Sequence, residues 1–242
     1  MTARTVEVGS GPHSAARYGL GWAVVGVDVF RATTVICTAT SAGRQCHVAT
    51  DLAEARAIVA RTPGALLGGE QGGHVPPAFD VGNSPAGIAG RTDIDRPLVL
   101  LTSSGTPLLR HASGASAVYA ACLRNVSAQV HRLRGLDLDV AVIAAGTGGH
   151  PREEDDLGCA RIAAGLIAAG FCGDESTRAF VEEYSSRRTE WAASGRSARF
   201  LQSVGRQDDI DFVLSHVDDL ESVVEVRGTE AIPESWSIPH AH

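Results

Sequence analysis

Four short stretches of this sequence set carboxylates, hydroxyls and glycines directly after apolar runs: Asp28 to Thr34, Gly68 to Ser84, Thr102 to Thr106 and Gly146 to Asp155. The first is the most concentrated. Val24-Val25-Gly26-Val27 leads into Asp28, and Arg31, Thr33 and Thr34 follow at the start of a helix-like segment. A carboxylate, a guanidinium and two hydroxyls at a strand-to-helix junction suit an anionic ligand and a divalent cation, since open α/β sheets bind ligands outside the carboxyl ends of their strands. Alone, Asp28 suits a helix cap equally well. The other three turns tip the balance toward a site, adding Glu70 and Asp80, then Asn83 and Ser84, Ser104 to Thr106, and Glu154 with Asp155. Many oxygen ligands with few His or Cys fit Mg²⁺ better than zinc. We therefore expect Asp28, Arg31, Glu70 and Asp155 to be catalytic, and the metal to be held from among Asp28, Glu70, Asp80, Glu154 and Asp155. Phosphate oxygens are expected at Thr33, Thr34, Gly72, Asn83, Ser84, Ser104, Gly105, Thr106 and Gly146. The glycines serve because their backbone N–H groups can approach closely.

These turns need a scaffold. The run 23–29 reads as a strand buried on both faces, because it does not alternate. Further strands are expected at 5–8, 45–49, 65–67, 97–102, 115–120 and 138–144. Helices are expected at 32–42, from Asp51 to about Arg61 with Asp51 and Glu54 as a capping box, from Ser84-Pro85 to Gly90, at 107–112, 123–133 and 157–169. The acidic run 153–156 suits the first turn of that last helix. If the strands are parallel, all four turns share one edge of the sheet. After residue 170 helices dominate (175–193, 196–204, 208–216), with one last strand near 223–226. The fold class expected is α/β: a parallel or mixed sheet flanked by helices in three layers, with a helix-rich C-terminal segment. The chain reads as one unit over 1–242, alternating over 1–170 and mainly helical over 171–242. His74 and His150 read as solvated loop residues, Asp208-Asp209 and Asp218-Asp219 as solvated helix-end charges, and His240 and His242 as tail.

Composition narrows the class of function. The 242 residues are 44% hydrophobic and 20% charged, enough apolar content for a core and too ordered a mix for disorder. The net charge of −7 and the absence of a basic run argue against nucleic acid as a partner. All 21 basic residues are Arg, which excludes a lysine Schiff base and a P-loop lysine. The five Cys are odd in number and lack any C-x-x-C, so reduced thiols in a cytoplasmic protein are expected. No apolar run approaches a membrane span. A homodimer is kept as the candidate assembly.

The motifs, taken in order, resemble those of the 2-phosphosulfolactate phosphatase family: Val25-Gly26-Val27-Asp28-Val29-Phe30-Arg31-Ala32-Thr33-Thr34, Gly69-Glu70-Gln71-Gly72-Gly73, Phe79-Asp80-Val81-Gly82-Asn83-Ser84-Pro85, Thr102 to Thr106, Ala145-Gly146 and Glu154-Asp155. The resemblance covers nearly the whole chain. It implies a Mg²⁺-dependent hydrolase of a small phosphorylated, sulfonated 2-hydroxy acid in the manner of coenzyme M synthesis. Two departures stand out. Gln71 occupies the place of an Arg in the family pattern Gly-Glu-Arg, and Ser103-Ser104 the place of Thr-Asn. Losing an Arg removes a charge and a bidentate clamp, so phosphatase chemistry is better supported than that substrate. The other class of function considered is a non-catalytic binder of the same metabolite. Whether Asp28 attacks phosphorus or a carboxylate activates water is left open by the sequence.

Overall fold

The run Trp22–Val27 is buried from Ala23 onward because it has a core on each side: Val24 shares one cluster with Val35, Ile36 and Leu108, and Ala23, Val25 and Val27 share another with Leu157, Ile162 and Leu166. The computed structural model describes residues 3–235, so His240 and His242 lie outside the described residues. In chain order the strands are β1 (Thr5–Ser10), β2 (Trp22–Val27), β3 (Cys46–Ala49), β4 (Leu66–Gly69), β5 (Val81–Gly82), β6 (Leu98–Leu101), β7 (Ala117–Ala121), β8 (Asp139–Ala144), β9 (Cys172–Gly173), β10 (Ser222–Arg227) and β11 (Glu230–Ser235). The α-helices are α1 (Ala32–Ser41), α2 (Leu52–Arg61), α3 (Pro85–Ala89), α4 (Gly105–His111), α5 (Val126–Arg134), α6 (Glu153–Ala168), α7 (Glu175–Tyr184), α8 (Arg196–Ser203) and α9 (Gln207–Ser215).

All these strands form one mixed sheet, ordered β5-β4-β6-β3-β11-β10-β7-β2-β8-β1-β9, between helical layers. It consists of two parallel groups joined by the β10–β11 hairpin, which pairs antiparallel with β7 through Val224 and Glu225 and with β3 through Glu230 and Ala231. The single late strand expected near 223–226 is thus half of a hairpin. The segment after 170, expected to be mainly helical, gives the sheet β9, β10 and β11 as well. The hairpin also corrects the expectation that four turns share an edge because their strands are all parallel. Two antiparallel joins and the hairpin between them reverse the pairing sense between the groups. Five steps separate β6 from β2, yet the turn after β6 meets the turn after β2, where Gly105 lies against the Asp28 carboxylate.

Local chemistry follows the sequence closely elsewhere. Asp51 accepts the Glu54 N–H at 2.8 Å, and Glu54 in return accepts the Thr50 N–H at 2.8 Å. Ser84 caps α3 by accepting from Gly87, with Pro85 in the first turn. Helix α1 is buried from Ala32 to Thr40, because it touches β3, β7, β10 and β11 as well as α3 and α4. Of the five cysteines, all free, only Cys172 is exposed. Among the described residues no helix is long and apolar enough to cross a membrane.

Candidate active site

Asp28 leaves β2 and at once closes a tight turn. Its N–H donates to Thr33 Oγ1 at 2.8 Å, the same hydroxyl donates back to the Asp28 carbonyl, and Thr34 Oγ1 donates to the Val29 carbonyl at 2.7 Å. Thr33 and Thr34, expected as phosphate contacts, are buried braces of the turn and are not part of the cleft lining. Thr106 is a brace of the same kind, exchanging hydrogen bonds with Thr102. Asp28 Oδ1 accepts the Ala32 N–H at 3.1 Å, so the capping role is real. Its other oxygen, Oδ2, lies against Gly105, where any Cβ would collide with it. Glycine at 105 is a steric requirement of that carboxylate.

The remaining acids stitch the turns together. Asp155 accepts the Val29 N–H at 2.8 Å through one oxygen and the Gly146 N–H at 3.0 Å through the other. Glu70 accepts the Ser103 N–H at 2.7 Å, the Gly73 N–H at 2.6 Å and the Ser103 hydroxyl at 3.1 Å. The Gly72 N–H donates to Ser103 Oγ. The N–H groups of Gly72, Gly73 and Gly146 thus have partners within the protein, while Gly72 and Gly146, expected to bind phosphate, line the cleft. Asp80 does not join this group. It is exposed, its carboxylate caps the Leu67 N–H at 2.8 Å, and it lines no part of the cleft.

Arg31 sets the other side of the floor. Its guanidinium donates to Asp209 at 2.7 Å, and both side chains are buried. The second Asp209 oxygen accepts the Ser84 hydroxyl at 2.5 Å and the Ala86 N–H at 3.3 Å. Asp209, expected as a solvated helix-end charge, is fully buried because α9 packs on α3. Ser84, expected to touch phosphate, is turned to this carboxylate instead. Asp219 is likewise paired, with Arg124 at 2.7 Å, and Asp218 accepts the Ser127 N–H.

These groups surround a cleft of about 270 Å³ lined by Asp28, Arg31, Glu70, Asn83, Ser104 and Asp155, with Gly72, Gly73, Ser103 and Gly146 at the turns. Asn83 and Ser104 make no side-chain hydrogen bond among the described residues, and the Asn83 carbonyl oxygen is buried. The opposite wall was not foreseen: Phe30, Thr147, Arg152, Arg196, Ser197, Phe200 and Leu201. Most of it comes from α8, whose Phe200 closes over Gly73 and makes an edge contact with His74. His74 and His150 are exposed, as expected.

The floor is electrostatically loaded. Burial, and then the charge of Glu70, push Asp28 up to about 6 against the opposing Ala32 N–H and Arg31. Burial, followed by Asp28 and Glu154, raises Asp155 well above the usual carboxylate range. Glu154 is nine-tenths buried or more and raised to about 7 by burial, with Glu153 and Asp28 adding to it. Ser197 lies near enough to favour its charged form, yet neither Glu154 oxygen has a partner of hydrogen-bond geometry. No group of three or more His, Cys, Asp or Glu among the described residues is already arranged as a metal cage. The donors nevertheless suit a hard cation: buried carboxylates that repel one another, with Asp28 Oδ2 and both Glu154 oxygens uncommitted. Mg²⁺ keeps several waters and takes only one or two protein carboxylates, so it needs no complete cage.

Residues 12–229 match the family model of 2-phosphosulpholactate phosphatase. The chain belongs to that family. It is 33% identical over 205 residues, 79% of this chain and 86% of the relative, to a "Probable 2-phosphosulfolactate phosphatase" of Symbiobacterium thermophilum. It is 33% identical over 193 residues, 78% and 80% of the two chains, to a "2-phosphosulfolactate phosphatase" of Methanothermobacter thermautotrophicus. A Carboxydothermus hydrogenoformans protein with the "Probable" form of that name is 38% identical over 144 residues, a match spanning 58% of either chain. Within the 2-phosphosulpholactate phosphatase pattern, the two departures fall differently. Gln71 is exposed and outside the cleft, whereas Ser104 lines it.

Proposed function

We propose that the protein hydrolyses a phosphomonoester of a small acid, of the 2-phosphosulfolactate type for which its relatives are named, with Mg²⁺ as the assisting cation. The observation that carries this reading is the convergence of Asp28, Glu70, Asp155 and Arg31 on one cleft, in a chain of that family. Asp28, Glu70 and Asp155, which line the cleft, are the residues that would hold the cation, with the charge of the buried Glu154 acting on Asp155 beside them, and the cation would neutralise charge on the phosphoryl oxygens. Asp80 is withdrawn from that set.

The chain's own contribution is positioning. Arg31, fixed from behind by Asp209, presents the rest of its planar fork to phosphoryl oxygens, the geometry that guanidinium serves best. Asn83 and Ser104 add neutral donors from the second and third turns. Asp28 Oδ2 stands at the strand end, where it can attack phosphorus or orient the attacking water; trapping a labelled aspartyl phosphate distinguishes the two. Phe30, Phe200 and Leu201 exclude water around the carbon skeleton.

The test is phosphate release from 2-phosphosulfolactate as a function of Mg²⁺. Asp28→Asn is expected to lower kcat by roughly 10²–10⁴-fold and Arg31→Ala by roughly 10²–10³-fold, with circular dichroism unchanged for Asp28→Asn. Wild-type turnover in both variants would remove the proposal. Ligand-induced stabilisation without turnover by the wild type would return the protein to the class of non-catalytic binders.

A further inference from the structure

The charges lining the cleft are sorted by position. Asp28 and Glu70, just past the ends of β2 and β4, and Asp155, in the first turn of α6, lie at the floor, and the one cation among them, Arg31, is already matched by Asp209. Two further guanidinia line the same cleft, Arg152 just ahead of α6 and Arg196 as the first residue of α8. Neither forms an ion pair among the described residues. Arg152 donates only to the carbonyl of its neighbour Pro151, at 3.2 Å, and no hydrogen bond involves the Arg196 side chain. This is not for want of acids nearby, since Glu153 lies between them in space and accepts the Arg196 backbone N–H at 3.4 Å. Phe30, Phe200 and Leu201 supply the apolar lining of the cleft.

We infer that Arg152 and Arg196 form a second oxyanion subsite, which takes a strongly acidic group, a sulfonate, on the carbon skeleton of the phosphorylated substrate. The inference rests on the phosphatase reading of the cleft and names the part of the substrate that the floor leaves unread. Carboxylates at the floor repel a second anion and favour a cation, so a substrate that carries a sulfonate besides its phosphate and carboxylate fits with the phosphate at the floor and the sulfonate away from it. Two guanidinium forks match the oxygens of a sulfonate by charge-assisted hydrogen bonds. The discriminating power of the site then lies in Arg152, within the turn that leads into α6, and Arg196, at the start of α8.

The experiment compares two substrates that differ only in that group: 2-phosphosulfolactate, and 2-phospholactate, in which a hydrogen replaces the sulfonate. Arg152→Gln and Arg196→Gln leave the side chains polar and break no ion pair. Each is expected to lower kcat/KM for the sulfonated substrate about tenfold, chiefly through KM, and the double variant about a hundredfold, each tenfold being one charge-assisted contact. For 2-phospholactate the same variants are expected to change kcat/KM by less than about threefold, so the ratio of the two constants collapses. Equal losses on both substrates, or none on either, would overturn the subsite while leaving the phosphatase intact. If the wild type hydrolyses neither compound, the phosphatase reading fails, and calorimetric binding of the dephosphorylated 3-sulfolactate decides the subsite alone. Binding lost in the double variant supports it, and absence of binding to the wild type overturns it.

Discussion

The turns after β2, β4 and β8 and the helices α8 and α9 both bring charged side chains to one cleft, by different physical means. In these turns each carboxylate is held by backbone N–H groups: Asp28 by Ala32 of its own turn, Asp155 by Gly146 of its own stretch and Val29 of the turn after β2, Glu70 by Gly73 of its own turn and Ser103 of the turn after β6. The sheet fixes those N–H groups, so the acids are placed before any ligand arrives. The helices act from behind or from the rim. Asp209 reaches the cleft only through Arg31, and Arg196 stands exposed at its edge. One region is rigid because its hydrogen bonds are backbone-anchored. The other is rigid only where a side-chain pair is buried.

The sharpest way to break that contrast is Asp209→Ala. It leaves the Arg31 guanidinium buried without its counter-charge and Ser84 without its acceptor, and is expected to destabilise the fold by about 3–5 kcal/mol. Urea unfolding followed by fluorescence measures it. Asp209→Asn, which keeps an acceptor, is expected to lose less. A loss below about 1 kcal/mol for the alanine variant would show that α9 is not what fixes Arg31.

A smaller effect tests the floor. Asp28 is raised to about 6 from 3.8, Asp156 to about 6 from 3.8 and Glu154 to about 7 from 4.5, in each case by burial first and by neighbouring carboxylates second. Because these folded-state values lie above the unfolded ones, the folded protein binds more protons across the window between them. These groups therefore make stability fall as pH rises from about 4 to about 7, after which their contribution levels out. In chelator the melting temperature is expected to decline over that window, and Mg²⁺ is expected to flatten the decline by supplying the missing positive charge. Calorimetric scans at several pH values check it, and curves that coincide with and without Mg²⁺ would separate the cation from this cluster.

The smallest expected effect is the control within the second turn. Asp80→Asn keeps an acceptor for the Leu67 N–H and sits outside the cleft. Its kcat/KM is expected to stay within about twofold of wild type, the range of surface substitutions away from a site. A loss approaching that of Asp28→Asn would restore Asp80 to the metal set.

Much of the scaffold was legible from local chemistry. The caps at Asp51 and Ser84, the buried strand at 22–27 and the acidic first turn of α6 each follow from a few neighbouring residues. What sequence reasoning missed has a common cause. Asp208-Asp209 looks like any helix-start acid pair, and only the docking of α9 on α3 reveals that one of the two is fully buried. Arg152 precedes an acidic run and Arg196 opens a short, strongly amphipathic helix, a pattern that marks packing and not a ligand, so neither carries a local mark of a site. Thr33, Thr34 and Thr106 show the opposite ambiguity. Their hydroxyls have backbone partners within five residues, and a short-range brace and a ligand contact use the same residue types.

By itself the sequence determined the α/β class, the placement of Asp28 and Glu70 just past strand ends and of Asp155 in the first turn of a helix, and the family, because these depend on periodicity and on motifs of a few residues. Only the tertiary structure decided which polar groups remain free to meet a ligand. That depends on which N–H, hydroxyl or carboxylate is already satisfied by a partner up to 178 residues away, as in Arg31 and Asp209. It also depends on a hairpin that joins two parallel groups of opposed direction into one twisted sheet. No local pattern encodes such pairings, since they are settled by the packing of the whole chain.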